Sequence, residues 1–124
     1  MNMVDSSGWL EYFAEGENAD FFAPAIEDTR LLLVPVICVY EVFKRVLQQR
    51  GITAARENIS DMHEGRVIDL DASITMSAAQ ISVDIKLPMA DSLILATARA
   101  HNAALWTQDE HFKDIGGVKY IANK

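Results

Sequence analysis

Apolar residues follow two alternating rhythms along this chain. M-N-M-V at the start, R-L-L-L-V-P at 30–35, R-V-I-D-L at 66–70, A-A-L-W-T at 103–107 and V-K-Y-I at 118–121 are short runs bounded by polar or helix-breaking residues. Such runs predict strands, and the continuous L-L-L-V-P predicts one buried on both faces. Between them apolar positions recur every three or four residues. That spacing predicts helices over 6–15, 19–26, 36–50 (ended by Gly51), 53–64 (ended by Gly65), 72–85 and about 88–102, with a short turn of helix at E-H-F-K-D.

Strands separated by helices imply an α/β fold, a three-layer α/β/α arrangement around a short, mainly parallel sheet. Half of the 124 residues are hydrophobic, enough for one domain over 1–124 with a real core, and no repeat, low-complexity tract or linker interrupts it. Cys38, the only cysteine, lies in V-P-V-I-C-V-Y and reads as core packing. Met62, Met76 and Met89 are expected in the core as gap fillers. No apolar run approaches the roughly 20 residues that span a bilayer, and the start lacks a signal peptide's pattern, so a cytoplasmic protein without a membrane partner is expected.

Charge sharpens the picture. The net charge is −7, and Asp5, Glu11, Glu15, Glu17, Asp20, Glu27 and Asp28 all precede the first basic residue, Arg30. Such a chain is ill suited to non-specific nucleic-acid binding, although a bound cation reverses the local field. The acidic start serves either as solubilising surface or as a landing site for a basic partner segment.

Ligands of open parallel sheets sit beyond the carboxyl ends of the strands. Asp5 follows the first strand and Asp109 follows A-A-L-W-T, which puts both at that edge. Glu41, in the second turn of the helix after L-L-L-V-P, can reach it, and Asp91 occupies the first turn of its helix. Each acid also has an ordinary reading. Asp5, Asp91 and Asp109 are placed to stabilise helix N-termini, and Glu41 to pair with Arg45. Gathered carboxylates would suit Mg²⁺, which prefers oxygen ligands and keeps several waters, and metal-assisted phosphodiester hydrolysis is the chemistry that would use them. His63, His101 and His111 lack zinc-site spacing and are expected to face solvent; no P-loop, G-x-S-x-G or dinucleotide motif occurs.

Four segments together resemble the PIN-domain nucleases, and among them the VapC toxins of toxin–antitoxin pairs: M-V-D-S-S at 3–7, V-P-V-I-C-V-Y-E-V at 34–42, L-P-M-A-D-S-L-I-L-A-T-A at 87–98 and W-T-Q-D-E-H-F at 106–112. The resemblance implies that Asp5, Glu41, Asp91 and Asp109 form a catalytic quartet binding Mg²⁺ or Mn²⁺, with Ser6 and Thr107 in support. It further implies a metal-dependent endoribonuclease acting on structured RNA such as tRNA, a cognate VapB-like antitoxin that blocks the site, and a homodimer. Lys44 and Arg45, one turn past Glu41, are the candidate RNA phosphate contacts; a solvated face is the alternative. Two other functions stay open at this stage: a catalytically inert PIN-fold binding module and a metal-dependent nuclease acting on DNA.

Overall fold

The computed structural model describes residues 1–124. Five strands, β1 (Asn2–Val4), β2 (Leu32–Pro35), β3 (Arg66–Ile68), β4 (Ala104–Thr107) and β5 (Val118–Tyr120), form one sheet in the order β3-β2-β1-β4-β5. Every pairing is parallel, with Val4 opposite Trp106 and Met3 opposite Leu33. Six helices accompany them: α1 (Ser6–Phe13), α2 (Ala19–Glu27), α3 (Val36–Arg50), α4 (Ile52–Met62), α5 (Ala72–Ile85) and α6 (Met89–Ala100).

The expected elements are present, with shorter strands. Thr29–Leu31 curls into a 3₁₀ turn, so β2 begins only at Leu32, where the chain becomes fully buried. Pro35 ends β2 and stands at the N-cap of α3, where its missing N–H costs no helical bond. Gly51, at φ 87°, passes the chain directly from α3 into α4.

The strand order explains where a site can form. From β1 the chain steps outward to β2 and β3, then returns through α5 and α6 to β4 on the other side of β1. Right-handed crossovers in opposite directions place the two sets of helices on opposite faces, giving three layers. The connections leaving β1 and β4 therefore diverge, and the crevice at their carboxyl ends is the switch point of the sheet.

One contiguous core includes Met3, Trp9, Phe22, Leu33, Cys38, Met62, Leu105 and Phe112, all fully buried. Gly8 lets α1 lie close on this core: a Cβ there would come within 2.5 Å of a Val4 methyl and 2.6 Å of the Phe22 ring. Met76 and Met89, expected inside, are instead 68% and 74% exposed. For Met76 the reason is that α5 packs mainly on α6, through Ile74, Ala78 and Ala96, and turns the rest of its surface outward; Met89 is the first residue of α6, at the open end of that helix pair. No helix is long and apolar enough to cross a membrane.

Candidate metal centre at the sheet switch point

Asp5 leaves β1 directly into the crevice. It is 2% exposed and is the N-cap of α1, its Oδ1 accepting from the Gly8 N–H at 3.0 Å and from the Ser7 hydroxyl at 2.7 Å. Its Oδ2 accepts from the Thr107 hydroxyl at 2.6 Å, across the β1–β4 pair. Two donors fill Oδ1, whereas Oδ2 keeps a free lone pair. Burial outweighs these hydrogen bonds and lifts the carboxyl to a pKa of about 6, with the Asp109 charge adding to the rise.

Thr107, the last residue of β4, couples Asp5 to Asp109: its Oγ1 also accepts the Asp109 N–H at 2.9 Å. Asp109 then caps the 3₁₀ turn at Glu110–Phe112, accepting the His111 N–H at 2.9 Å. Glu41 reaches the edge from the second turn of α3, and Ser6, the first residue of α1, donates to its Oε1 at 2.6 Å. The alternative pairing of Glu41 with Arg45 does not form, since the molecule's only ion pairs within 4.0 Å are those of His111.

Asp91 lies in the first turn of α6, but Pro88 holds the N-cap position and no side chain caps the helix. The carboxylate of Asp91 instead reaches His111, whose Nδ1 is 3.0 Å from its Oδ2 and 3.3 Å from Asp109 Oδ1. Partial burial raises the pKa of Asp91; the Asp109 charge adds to the rise, contact with His111 opposes it, and the Glu41 charge reinforces it.

The structure thus gathers Asp5, Glu41, Asp91 and Asp109 at one edge, with Ser6 and Thr107 each holding one of them. Asp91, Asp109 and His111 offer ligand atoms that all lie within 4.8 Å of one another. Asp5 and Glu41 lie outside this 4.8 Å group, fixed by their own hydroxyl partners, with the Asp109 charge acting on Asp5 and the Glu41 charge on Asp91. Acids crowded in this way, with no lysine or arginine close enough to pair, form an oxygen-donor set that a divalent cation would neutralise, so the residues fit such an ion.

Capping and clustering are not exclusive: Asp5 and Asp109 each cap with Oδ1. Sequence reasoning missed Ser7 and His111 in this neighbourhood. His111 does face solvent, with 55% of its side chain exposed, yet its ring turns back onto the acids. Its place two residues after Asp109, on a turn that Asp109 caps, was the available signal. Behind the site, buried Asn18 donates to Gln108 Oε1 at 2.9 Å and to the Ala122 carbonyl at 3.0 Å, bracing the segment that carries Asp109.

The two candidate phosphate contacts separate. Lys44 lies over the Tyr40 ring, 5.8 Å from its centroid. Arg45 instead lines, with Arg50, Gln49 and Asn58, a groove of about 410 Å³ that reaches Ser7 and Gln108 beside the acids. Cys38 is fully buried beneath the site, and burial pushes its thiol well above the ordinary range.

Comparison of the sequence with curated proteins finds no significant match. Among solved structures, the chain is similar to a toxin–antitoxin complex from Klebsiella pneumoniae, with 22% identity, 96% of each chain covered and a TM-score of 0.79. VapBC2 from Rickettsia felis, bound to a DNA fragment from its promoter, matches with 16% identity over 98% of this chain and 97% of its own at a TM-score of 0.76. Mycobacterium tuberculosis VapC20, described as a Sarcin-Ricin loop cleaving toxin, gives 16% identity, 94% and 95% coverage and a TM-score of 0.75. These likenesses establish the shared fold. The sequence itself matches the family model of the PIN domain over residues 3–118, a span that contains Asp5, Glu41, Asp91 and Asp109, and the chain belongs to the PIN-domain family.

Proposed function

We propose that this chain is a metal-dependent endoribonuclease, the toxin of a toxin–antitoxin pair, in which Asp5, Glu41, Asp91 and Asp109 hold Mg²⁺ or Mn²⁺. The observation that carries this reading is the convergence of four acids from β1, α3, α6 and the β4 exit on one crevice, without a lysine or arginine paired to any of them. Membership of the PIN-domain family supports it.

A divalent ion bound there supplies Lewis-acid activation of water and stabilises charge on the phosphodiester. The protein's contribution is to hold the oxygens in place. Thr107 and Ser7 fix both oxygens of Asp5, Ser6 fixes Glu41, and the rigid first turn of α6 presents Asp91. Burial of Asp5 also keeps bulk water from competing for its remaining lone pair.

RNA is the proposed substrate because VapC20 is described as cleaving the Sarcin-Ricin loop, and because Arg45 and Arg50 line a groove that opens beside the acids. Structured RNA such as tRNA fits a small, net-acidic enzyme that relies on shape and a few contacts. A cognate antitoxin is the proposed partner, since similar chains occur in toxin–antitoxin complexes. A second groove, between α1, α2 and α4, is lined by Glu15, Asp20, Glu27 and Asp61 beside Tyr12 and Phe13, which suits a basic antitoxin segment with apolar side chains. A cytoplasmic homodimer completes the reading.

The test maps the ends of RNAs produced on induction and with the purified chain in Mg²⁺, Mn²⁺ or EDTA, for wild type, Asp5→Ala and Asp91→Asn. Metal-dependent RNA cleavage lost in both variants, with circular dichroism unchanged, is expected. Cleavage of DNA alone would replace the substrate, and absence of both turnover and metal binding would leave an inert module.

A further inference from the structure

We propose that His111 is itself a metal ligand of this centre, through Nδ1, and that it makes the centre a mixed nitrogen–oxygen site taking Mn²⁺ in preference to Mg²⁺. This rests on the metal-dependent reading above and names the donor that sets the choice of ion.

The first argument is the spacing of the donor atoms. Ligand atoms bound about 2.1 Å from one ion lie roughly 3.0 Å apart at right angles and roughly 3.4 Å apart at the tetrahedral angle. His111 Nδ1 stands 3.0 Å from Asp91 Oδ2 and 3.3 Å from Asp109 Oδ1, and all three ligand atoms fall within 4.8 Å of one another. These separations are ones that two donors of a single cation would have, so Asp91, Asp109 and His111 would hold it with little rearrangement.

The second argument is which oxygens remain available. In the other half of the quartet, Asp5 Oδ1 is filled by Gly8 and Ser7, Asp5 Oδ2 carries Thr107, and Glu41 Oε1 carries Ser6. Asp91 accepts no side-chain hydrogen bond except from His111. The imidazole thus sits against the two carboxylates, Asp91 and Asp109, whose only side-chain hydrogen bonds in the protein come from His111 itself.

Third, the ring is held although it is exposed. Phe112, the next residue, is fully buried, and the His111 N–H is bound to Asp109 Oδ1 at 2.9 Å, so the turn that carries the imidazole is anchored at both points. In the metal-free chain Nδ1 donates to Asp91 Oδ2; a cation at the acids would take the place of that proton, and the exposed Nε2 would then carry the proton of the neutral ring. Mg²⁺ takes carboxylate, carbonyl and water oxygens almost alone, whereas Mn²⁺, though at the weak end of the first-row series and itself at home among oxygens, accepts an imidazole nitrogen beside them. A histidine in the set therefore favours Mn²⁺ without weakening the carboxylate contribution.

The competing role for His111 is a hydrogen-bonding clamp that only orients Asp91. The test uses the full-length chain stripped of metal, loaded with Mn²⁺ and studied by pulsed electron paramagnetic resonance, alongside His111→Gln, His111→Ala and Asp91→Asn. Wild type is expected to show ¹⁴N hyperfine coupling to Mn²⁺ that both His111 variants lose. Titration is expected to give an Mn²⁺ Kd weaker by about tenfold or more in those variants, with Mg²⁺ binding, measured by competition, changed less than twofold. Absence of ¹⁴N coupling in wild type, its persistence in His111→Ala, or equal loss of Mg²⁺ and Mn²⁺ affinity would each overturn the proposal and identify a clamp. If wild type binds Mn²⁺ in an Asp91-dependent way without nitrogen coupling, the metal-dependent reading stands and this inference alone fails. If wild type binds no Mn²⁺, both fall.

Discussion

The Thr107 hydroxyl sits between two acids, donating to Asp5 Oδ2 at 2.6 Å while accepting the Asp109 backbone N–H at 2.9 Å. One fully buried oxygen thereby ties the exit of β1 to the exit of β4. Thr107→Val, nearly equal in shape, removes both bonds and leaves a buried carboxylate oxygen and an N–H unpaired. A loss of about 2 kcal/mol in stability is expected, with RNA cleavage reduced at least tenfold, whereas Thr107→Ser retains both. Urea unfolding and single-turnover kinetics of the two variants measure this, and equal behaviour of Val and Ser would deny the hydroxyl its role.

Asp5 makes the metal-free protein sensitive to pH. Its folded pKa of about 6 lies above the ordinary 3.8, so between these values the folded chain binds more protons than the unfolded one. Stability must therefore fall as pH rises through that window, the reverse of a salt-bridged aspartate. The two-unit difference corresponds to at most about 3 kcal/mol. In Asp5→Asn this contribution vanishes: Oδ1 still accepts from Gly8 and Ser7, while the amide faces Thr107 Oγ1. Melting temperatures in EDTA from pH 4 to 8 are expected to decline more steeply for wild type than for Asp5→Asn, which becomes the more stable protein near pH 7 and has no nuclease activity. Parallel curves would mean that burial of Asp5 carries no electrostatic cost.

The contrast between Asp5 and His111 separates what was legible in the sequence from what was not. Asp5 follows a strand that any alternation pattern finds, and the edge it occupies is dictated by parallel topology. The strand ends were less legible, because residues 30 and 31 are apolar or long enough to extend β2 yet curl into a 3₁₀ turn. His111 was read correctly as exposed. Its partner Asp91, however, is twenty positions away on another element, and only packing of the 110–112 turn through Phe112 brings the two together. Met76 and Met89 misled for a related reason: helical spacing reveals an apolar face, not whether a neighbour covers it.

Gly8 joins packing to the site. Its N–H holds Asp5 Oδ1, and the space a Cβ would need is filled by Val4 and Phe22, both fully buried. Gly8→Ala gains about 1 kcal/mol in helix propensity, but a methyl wedged at 2.5 Å into this core displaces α1 from β1. The steric effect is expected to win, with a net loss of roughly 1–2 kcal/mol and a fall in cleavage rate as the Asp5 cap shifts. Chemical denaturation together with kcat checks this. A stabilised, fully active variant would show that the Phe22 ring yields.

Arg45 and Lys44 are sequence neighbours with different surroundings, and they should behave differently toward RNA. Arg45 lines the groove that reaches Ser7 and Gln108, whereas Lys44 rests over Tyr40. Single-stranded RNA bound through one phosphate contact loses a salt slope of about 0.7 when that contact is removed. Arg45→Ala is therefore expected to raise KM severalfold, leave kcat nearly unchanged and flatten the salt dependence of binding by about that amount; Lys44→Ala should change each of these by less than half as much. Binding measured in the Asp91→Asn background, where the RNA stays intact, keeps affinity separate from turnover. Equal effects of the two substitutions would place the strand outside this groove, along the exposed face that both residues share.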